Sequence, residues 1–276
     1  MDYAGQFQRD VTAFEAATRS ARTPAAPVVP SCPGWVLTDL VLHLGTVHRY
    51  VARVIGERMQ QPPGPGDRSG LGLTDEWQGW LPPGRVPEGT PVPGGLLDWF
   101  REGAADLLER FRTTEPAEQV WTWWPPDQSV GFWLRMQAIE AAVHRWDAEN
   151  AVGTARPLDA ALAADAVGQT FQVMALMRRA VKQAPPGQGE RYLFRRTDGP
   201  GTWTVRFDGD AVLLDDTAGL DDTGRLGAQA REPDIRISGT ASDLALFLWQ
   251  RPVADNLDVT GDRSLLSRYF ALVPPV

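Results

Sequence analysis

The residues best placed to do chemistry lie in the stretch Gln137-Ala-Ile-Glu140-Ala-Ala-Val-His144-Arg-Trp-Asp147. Glu140 and His144 are four apart, which on an α-helix separates them by about 40° around the axis and one turn along it. A carboxylate and an imidazole so placed can share one metal ion. A solvated Glu–His pair has the same spacing, so the pair gains meaning only from where the other histidines fall. There are two, His43 and His48. His48 lies in the apolar stripe Leu37, Leu40, Val41, Leu44, Val47, Val51, Val54, Ile55, and an imidazole on a buried face needs partners. His43 is about 140° around the helix from His48, so the two cannot converge on one ion. Four residues after Asp39 and three before Thr46, His43 reads as a histidine on a solvated flank. The spacing therefore favours His48, Glu140 and His144 as three ligands with a fourth position open, the arrangement of a catalytic zinc.

Composition narrows the field. A single cysteine, Cys32, rules out an internal disulfide and a cysteine-rich zinc site, and its place before Pro33 gives it no evident role at the metal. The net charge of −8 argues against nucleic acid or an acidic membrane as partner. No apolar run reads as a membrane span, and the start Met1-Asp-Tyr-Ala-Gly lacks the basic and apolar regions of a signal peptide, so a cytoplasmic protein is expected. A chain of 276 residues is long enough for two cores.

Helical periodicity marks the elements that must position these residues: 5–22, about 37–59, 96–112 and 131–151. In the last of these, Glu140 interrupts a stripe of Trp133, Met136, Val143 and His144, and a buried carboxylate needs a cation. Residues 61–95 turn to Pro and Gly, with Trp77 and Trp80 as apolar footholds, and read either as a lid over a pocket or as a surface loop. The cluster Val120-Trp-Thr-Trp-Trp-Pro-Pro126 could wall a pocket or staple a loop to the core. After one more helix, 157–184, the period switches to two in Tyr192-Leu-Phe-Arg-Arg, Thr202-Trp-Thr-Val-Arg-Phe207, Ala211-Val-Leu-Leu-Asp215 and Pro233-Asp-Ile-Arg-Ile-Ser-Gly239. Helices at 242–250 and 263–272 follow. The pattern is that of an α-helical bundle over 1–155 and an α+β domain over 156–276.

Four fragments in order, Cys32-Pro-Gly-Trp-x-x-x-Asp-Leu40, His43-Leu-Gly-x-x-His48, Glu140-Ala-Ala-Val-His-Arg-Trp-Asp147 and Gly239-Thr-Ala-Ser-Asp-Leu-Ala-Leu-Phe-Leu248, resemble the mycothiol-dependent maleylpyruvate isomerase family of the DinB-like metalloenzyme superfamily. The resemblance spans nearly the whole chain. It implies a DinB-like four-helix bundle holding a divalent metal, usually zinc, through one histidine of the second helix and the Glu-x-x-x-His pair of the fourth. Carried over, these are His48, Glu140 and His144. It also implies a sterol-carrier-like C-terminal α+β domain contributing an arginine, for which Arg251 and Arg263 are alternatives.

The implied chemistry uses mycothiol as cosubstrate. Its sulfur would take the open metal position and be deprotonated there. A thiolate that adds to an activated cis double bond and later departs makes an isomerase; one that stays attached makes a transferase. Arg145 and Asp147 could orient the ligands or form an ordinary salt bridge. The expected partners are a low-molecular-weight thiol and a small electrophile, for a monomer or homodimer. Two other readings share the sequence: a hydrolase using metal-bound water, and a small-molecule binding protein with no catalysis.

Overall fold

The first helix, α1 (Tyr3–Ser20), opens where the Asp2 carboxylate accepts the Gly5 N–H, and it buries Phe7, Val11, Phe14 and Ala17 at helical spacing. In this computed structural model, which describes all residues except 22–23, 65, 216–231 and 276, the chain divides into two compact units, Met1–Arg156 and Pro157–Val276. The helix end expected at residue 22 lies outside the described residues.

Three further long helices complete the first unit: α2 (Leu37–Gly56), α4 (Gly94–Thr113) and α5 (Val130–Ala151). A short helix, α3 (Asp75–Gly79), lies between α2 and α4. Helix α1 packs on α5 and α4, and α2 packs on α4 and α5, so α2 is buried on two faces. The approach of α2 to α4 requires a glycine. A Cβ on Gly45 would come within 2.3 Å of the Trp99 ring. Phe7, Phe14, Phe100 and Phe111 fill the space between these helices, with Phe7 edge-on to Phe111 and Phe14 tilted on Phe100.

The Pro/Gly stretch is tied down at several points. Trp77 packs on Trp99, the Trp99 indole donates to the Leu71 carbonyl at 2.7 Å, and the Gly84 N–H donates to Asp39 at 2.7 Å. The tryptophan cluster staples its loop to the core. The Trp133 indole donates to the Trp121 carbonyl, and Trp121 and Trp133 both pack on Tyr50.

The second unit begins with α6 (Ala160–Gln169), a π-helical turn (Thr170–Met174) and α7 (Ala175–Lys182) in continuous succession. The sequence suggests one regular helix here. The structure widens it at Thr170, whose hydroxyl donates to the Ala166 carbonyl. By length and composition Ala160–Lys182 could also cross a membrane, which corrects the reading that no stretch is long and apolar enough. In the structure 61% of its apolar window is buried within the protein, as in a core helix.

Five strands form one sheet: β1 (Gly187–Arg196), β2 (Thr202–Gly209), β3 (Ala211–Asp215), β4 (Ile235–Gly239) and β5 (Asp258–Gly261), in the order β3-β2-β1-β4-β5. β1 and β4 run parallel, and the other neighbours are antiparallel. Helices α8 (Ala241–Leu248) and α9 (Ser264–Leu272) complete the unit. Tyr192, Phe194, Phe207 and Tyr269 pack ring against ring at its centre, each fully buried. A helical unit followed by a mixed unit with one five-stranded sheet agrees with the fold class expected from periodicity.

Candidate metal centre

Helices α2 and α5 run antiparallel along a shared face. Two contacts show it: Tyr50 meets Trp133 with centroids 6.4 Å apart, and His43 meets His144 at 5.1 Å. Going up α2 from His43 to Tyr50 thus means going down α5 from His144 to Trp133. This pairing brings three ligand atoms, from His43, Glu140 and His144, within 4.8 Å of one another. His43 Nε2 lies 3.4 Å from Glu140 Oε1, and Gln137 donates to Glu140 Oε2 at 2.7 Å.

This corrects the ligand expected from α2. His43 faces Glu140 and His144, and His48 does not. His48 is fully buried on the other side, edge-on to Phe7 at 5.0 Å and tilted on Phe100 at 5.5 Å, and both its ring nitrogens lack a hydrogen-bond partner among the described residues. The flank of α2 that carries His43 is no solvated surface. Asp39, one turn before it, is buried and accepts N–H donors from Val36 and Gly84. Trp35, from the Cys-Pro-Gly-Trp turn, packs against the His43 ring at 5.2 Å. The available sequence signal was the spacing of seven between His43 and Tyr50 on α2, matched by that between Trp133 and Glu140 on α5.

Burial by itself would raise the Glu140 pKa. The hydrogen bond from His43, the charges of His43 and His144, and the Gln137 amide outweigh it and hold the group down at about 2. Glu140 is therefore a carboxylate at neutral pH. Side-chain exposure rises from 8% at His144 through 14% at Glu140 to 29% at His43, so the cluster opens on the His43 side. Two imidazoles and one carboxylate, buried at one end and accessible at the other, are a donor set that fits a divalent ion such as zinc with a free position.

Asp147 stands behind His144. Its Oδ2 lies 2.9 Å from His144 Nδ1, and its Oδ1 accepts from the Ser31 hydroxyl at 2.6 Å. Fully buried, it fixes the ring orientation and leaves Nε2 as the nitrogen available to the cluster. Cys32 Sγ approaches Asp147 at 3.8 Å and is not among the clustered ligand atoms. Arg145 does something different. It donates to Asp10 at 3.1 Å, Glu149 at 2.7 Å and the Arg156 carbonyl at 2.8 Å, and so ties α1 to the end of α5.

Two predictions follow from this division. Asp147→Asn should weaken zinc binding by about 10- to 100-fold, read by chelator competition, with the far-ultraviolet spectrum unchanged. Arg145→Met removes the guanidinium that joins Asp10 to Glu149, while Glu149 keeps its hydrogen bonds from Arg156, and should cost about 1–3 kcal/mol in urea denaturation, with metal content per folded protein intact.

Of the two C-terminal arginines, Arg251 is half-buried and donates to the Trp249 carbonyl at 2.6 Å. Arg263 is exposed at the start of α9 and donates to the Val259 carbonyl at 3.3 Å.

The chain is thus a two-unit protein, a helical unit with a two-histidine, one-carboxylate cluster that fits a metal ion, followed by a mixed α/β unit. Residues 5–149, more than half of the chain, match the mycothiol maleylpyruvate isomerase N-terminal domain, and the chain belongs to that family. Two solved structures share the fold: the mycothiol-dependent maleylpyruvate isomerase (TM-score 0.58, 11% identity) and a histidine-to-alanine mutant of it (TM-score 0.59, 10% identity). Each comparison covers 94% of this chain and 92% of the other. No curated protein matches the chain.

Proposed function

We propose that the protein is a metal- and mycothiol-dependent enzyme that activates a thiol for addition to a small electrophile, as an S-transferase or a cis–trans isomerase. The observation that carries this reading is the convergence of His43, Glu140 and His144 in a chain of this family. The first unit is assigned as a DinB-like four-helix bundle and the second as a sterol-carrier-like domain, in a cytoplasmic protein. A bound divalent metal, with zinc the best match to two imidazoles and a carboxylate, would lower the pKa of a thiol at its free position to give a thiolate at neutral pH.

The chain's own residues set the conditions for that chemistry. Glu140, ionised and steered by Gln137, supplies the negative charge of the ligand set. Asp147 holds the His144 ring in one tautomer. Trp35 borders the exposed side at His43, where an incoming thiol would approach. Arg251 or Arg263 would pair with a substrate carboxylate or developing oxyanion.

The test combines metal analysis and turnover. Plasma mass spectrometry on wild type and on a Glu140→Ala, His144→Ala variant should find near-stoichiometric metal in the first and none in the second. The loaded wild type should then consume maleylpyruvate or a model alkyl halide only when mycothiol is added. Turnover without thiol would move the assignment to hydrolysis. Absence of metal even after zinc incubation would leave a binding protein. Separate Arg251→Ala and Arg263→Ala variants assign the arginine by which one raises KM for a carboxylate substrate.

A further inference from the structure

We propose that the C-terminal unit binds a small carboxylate against Arg178, beside Trp249 and Tyr269. Arg178, on α7, is 6% exposed, and among the described residues it makes no ion pair. Its Nη1 makes one long hydrogen bond, 3.3 Å to the Leu248 carbonyl, and its Nε makes none. The guanidinium sits over the Trp249 ring, 5.4 Å from the centroid.

The neighbouring residue shows what a satisfied buried arginine looks like in this unit. Arg179, 5% exposed, distributes its N–H groups over the carbonyls of Asp210, Leu272, Pro185 and Gly209. Arg178 has no such set. Instead its neighbours repeat its deficit. The Trp249 indole N–H and the Tyr269 hydroxyl are buried and also lack hydrogen-bond partners among the described residues.

All three groups are donors, and an indole N–H is a donor only. What is missing here is acceptors, and with a guanidinium among the donors, negative charge as well. Water would supply acceptors and leave the charge uncompensated. Discharging the arginine is no alternative, because a guanidinium stays protonated in proteins. Burial presses most on Arg178; the Tyr269 hydroxyl relieves it in part and the positive charge of Arg251 adds to it, a field that an anion would relieve. The Arg251 guanidinium is anchored close by, on the Trp249 carbonyl. A planar carboxylate suits the fork of Arg178, taking two N–H donors side by side. The site lies wholly within the second unit, and its test does not depend on the metal-centre reading.

The test uses the full chain and sodium acetate, with sodium chloride at equal ionic strength as reference. Melting temperature is followed against anion concentration for wild type, Arg178→Met, Trp249→Phe and Tyr269→Phe. Acetate should raise the wild-type melting temperature in a saturable way beyond chloride. The apparent affinity should fall at least about tenfold in Tyr269→Phe and Trp249→Phe, and saturation should vanish in Arg178→Met. The two aromatic variants each remove a single donor and keep a ring, so they carry the test if Arg178→Met does not fold. An equal acetate response in all four proteins, or none in wild type, overturns the proposal. Stronger saturation by phosphate than by acetate would overturn the carboxylate assignment in favour of a tetrahedral oxyanion.

Discussion

His43→Ala should abolish metal binding, while His48→Leu should leave it intact. The geometry behind this is specific. His43 Nε2 is 3.4 Å from a Glu140 oxygen, and its ring stands at 81° to that of His144, so three donors surround one point. Loss of one of three ligands should cost more than the roughly 10- to 100-fold that follows loss of an outer partner. His48, by contrast, is not among the clustered ligand atoms and lies against Phe7 and Phe100. Leucine is close to it in bulk and apolar, so that space stays filled. Metal content after dialysis, together with titration against a chromophoric chelator, reads both variants. Metal retained in His43→Ala and lost in His48→Leu would refute the assignment.

The second large effect concerns acid. His48 is fully buried, and that burial, only partly opposed by the Glu140 carboxylate and reinforced by the charges of His43 and His144, lowers its pKa from 6.5 to about 3. A group depressed in the folded state takes up its proton first in the unfolded chain. Above pH 6.5 His48 is neutral in both states and costs nothing by protonation. As pH falls below 6.5 the unfolded state is favoured, with a slope near 1.4 kcal/mol per pH unit, until the folded protein also protonates near pH 3. The whole window is worth about 5 kcal/mol, and the part down to pH 5 about 2 kcal/mol. Urea denaturation of wild type and His48→Leu at pH 7.5, 6 and 5 isolates this contribution. The stability difference should widen in favour of the leucine variant as pH falls. It should already favour leucine at pH 7.5, because two orphaned ring nitrogens are removed. Parallel curves for the two proteins would show that His48 finds a partner in solution.

Much of this was legible from local patterning. Glu140 and His144 stand on one face because an α-helix places residues four apart on one face, whatever surrounds it. The alternation in β1, β2 and β4 reflects strands that bury Tyr192, Phe194, Val205, Phe207, Ile235 and Ile237 against a core. That a sheet follows the helices is visible where the hydrophobic period changes, after α7 and within the second unit. These are properties of neighbours along the chain, and the chain states them directly.

The choice between His43 and His48 was of another kind. Periodicity shows which side of α2 is most apolar, and His48 lies on that side, facing Phe7 and Phe100. It does not show that α2 has a second buried face, because that face is made by α5, about 90 residues further on. Its polar members, Asp39 and His43, look like solvent-facing residues until Val36, Gly84 and Glu140 are brought up to satisfy them. The same holds for the Ser31 hydroxyl, which reaches Asp147 from more than a hundred residues away, whereas the His144–Asp147 pair is local to α5. It holds too for Arg178, whose lack of a counter-charge among the described residues is visible only once α7, α8 and α9 are packed. Spacing along one helix determines which residues share a face. Which residues meet across two helices depends on side-chain packing summed over the whole unit, and only the folded chain carries out that sum.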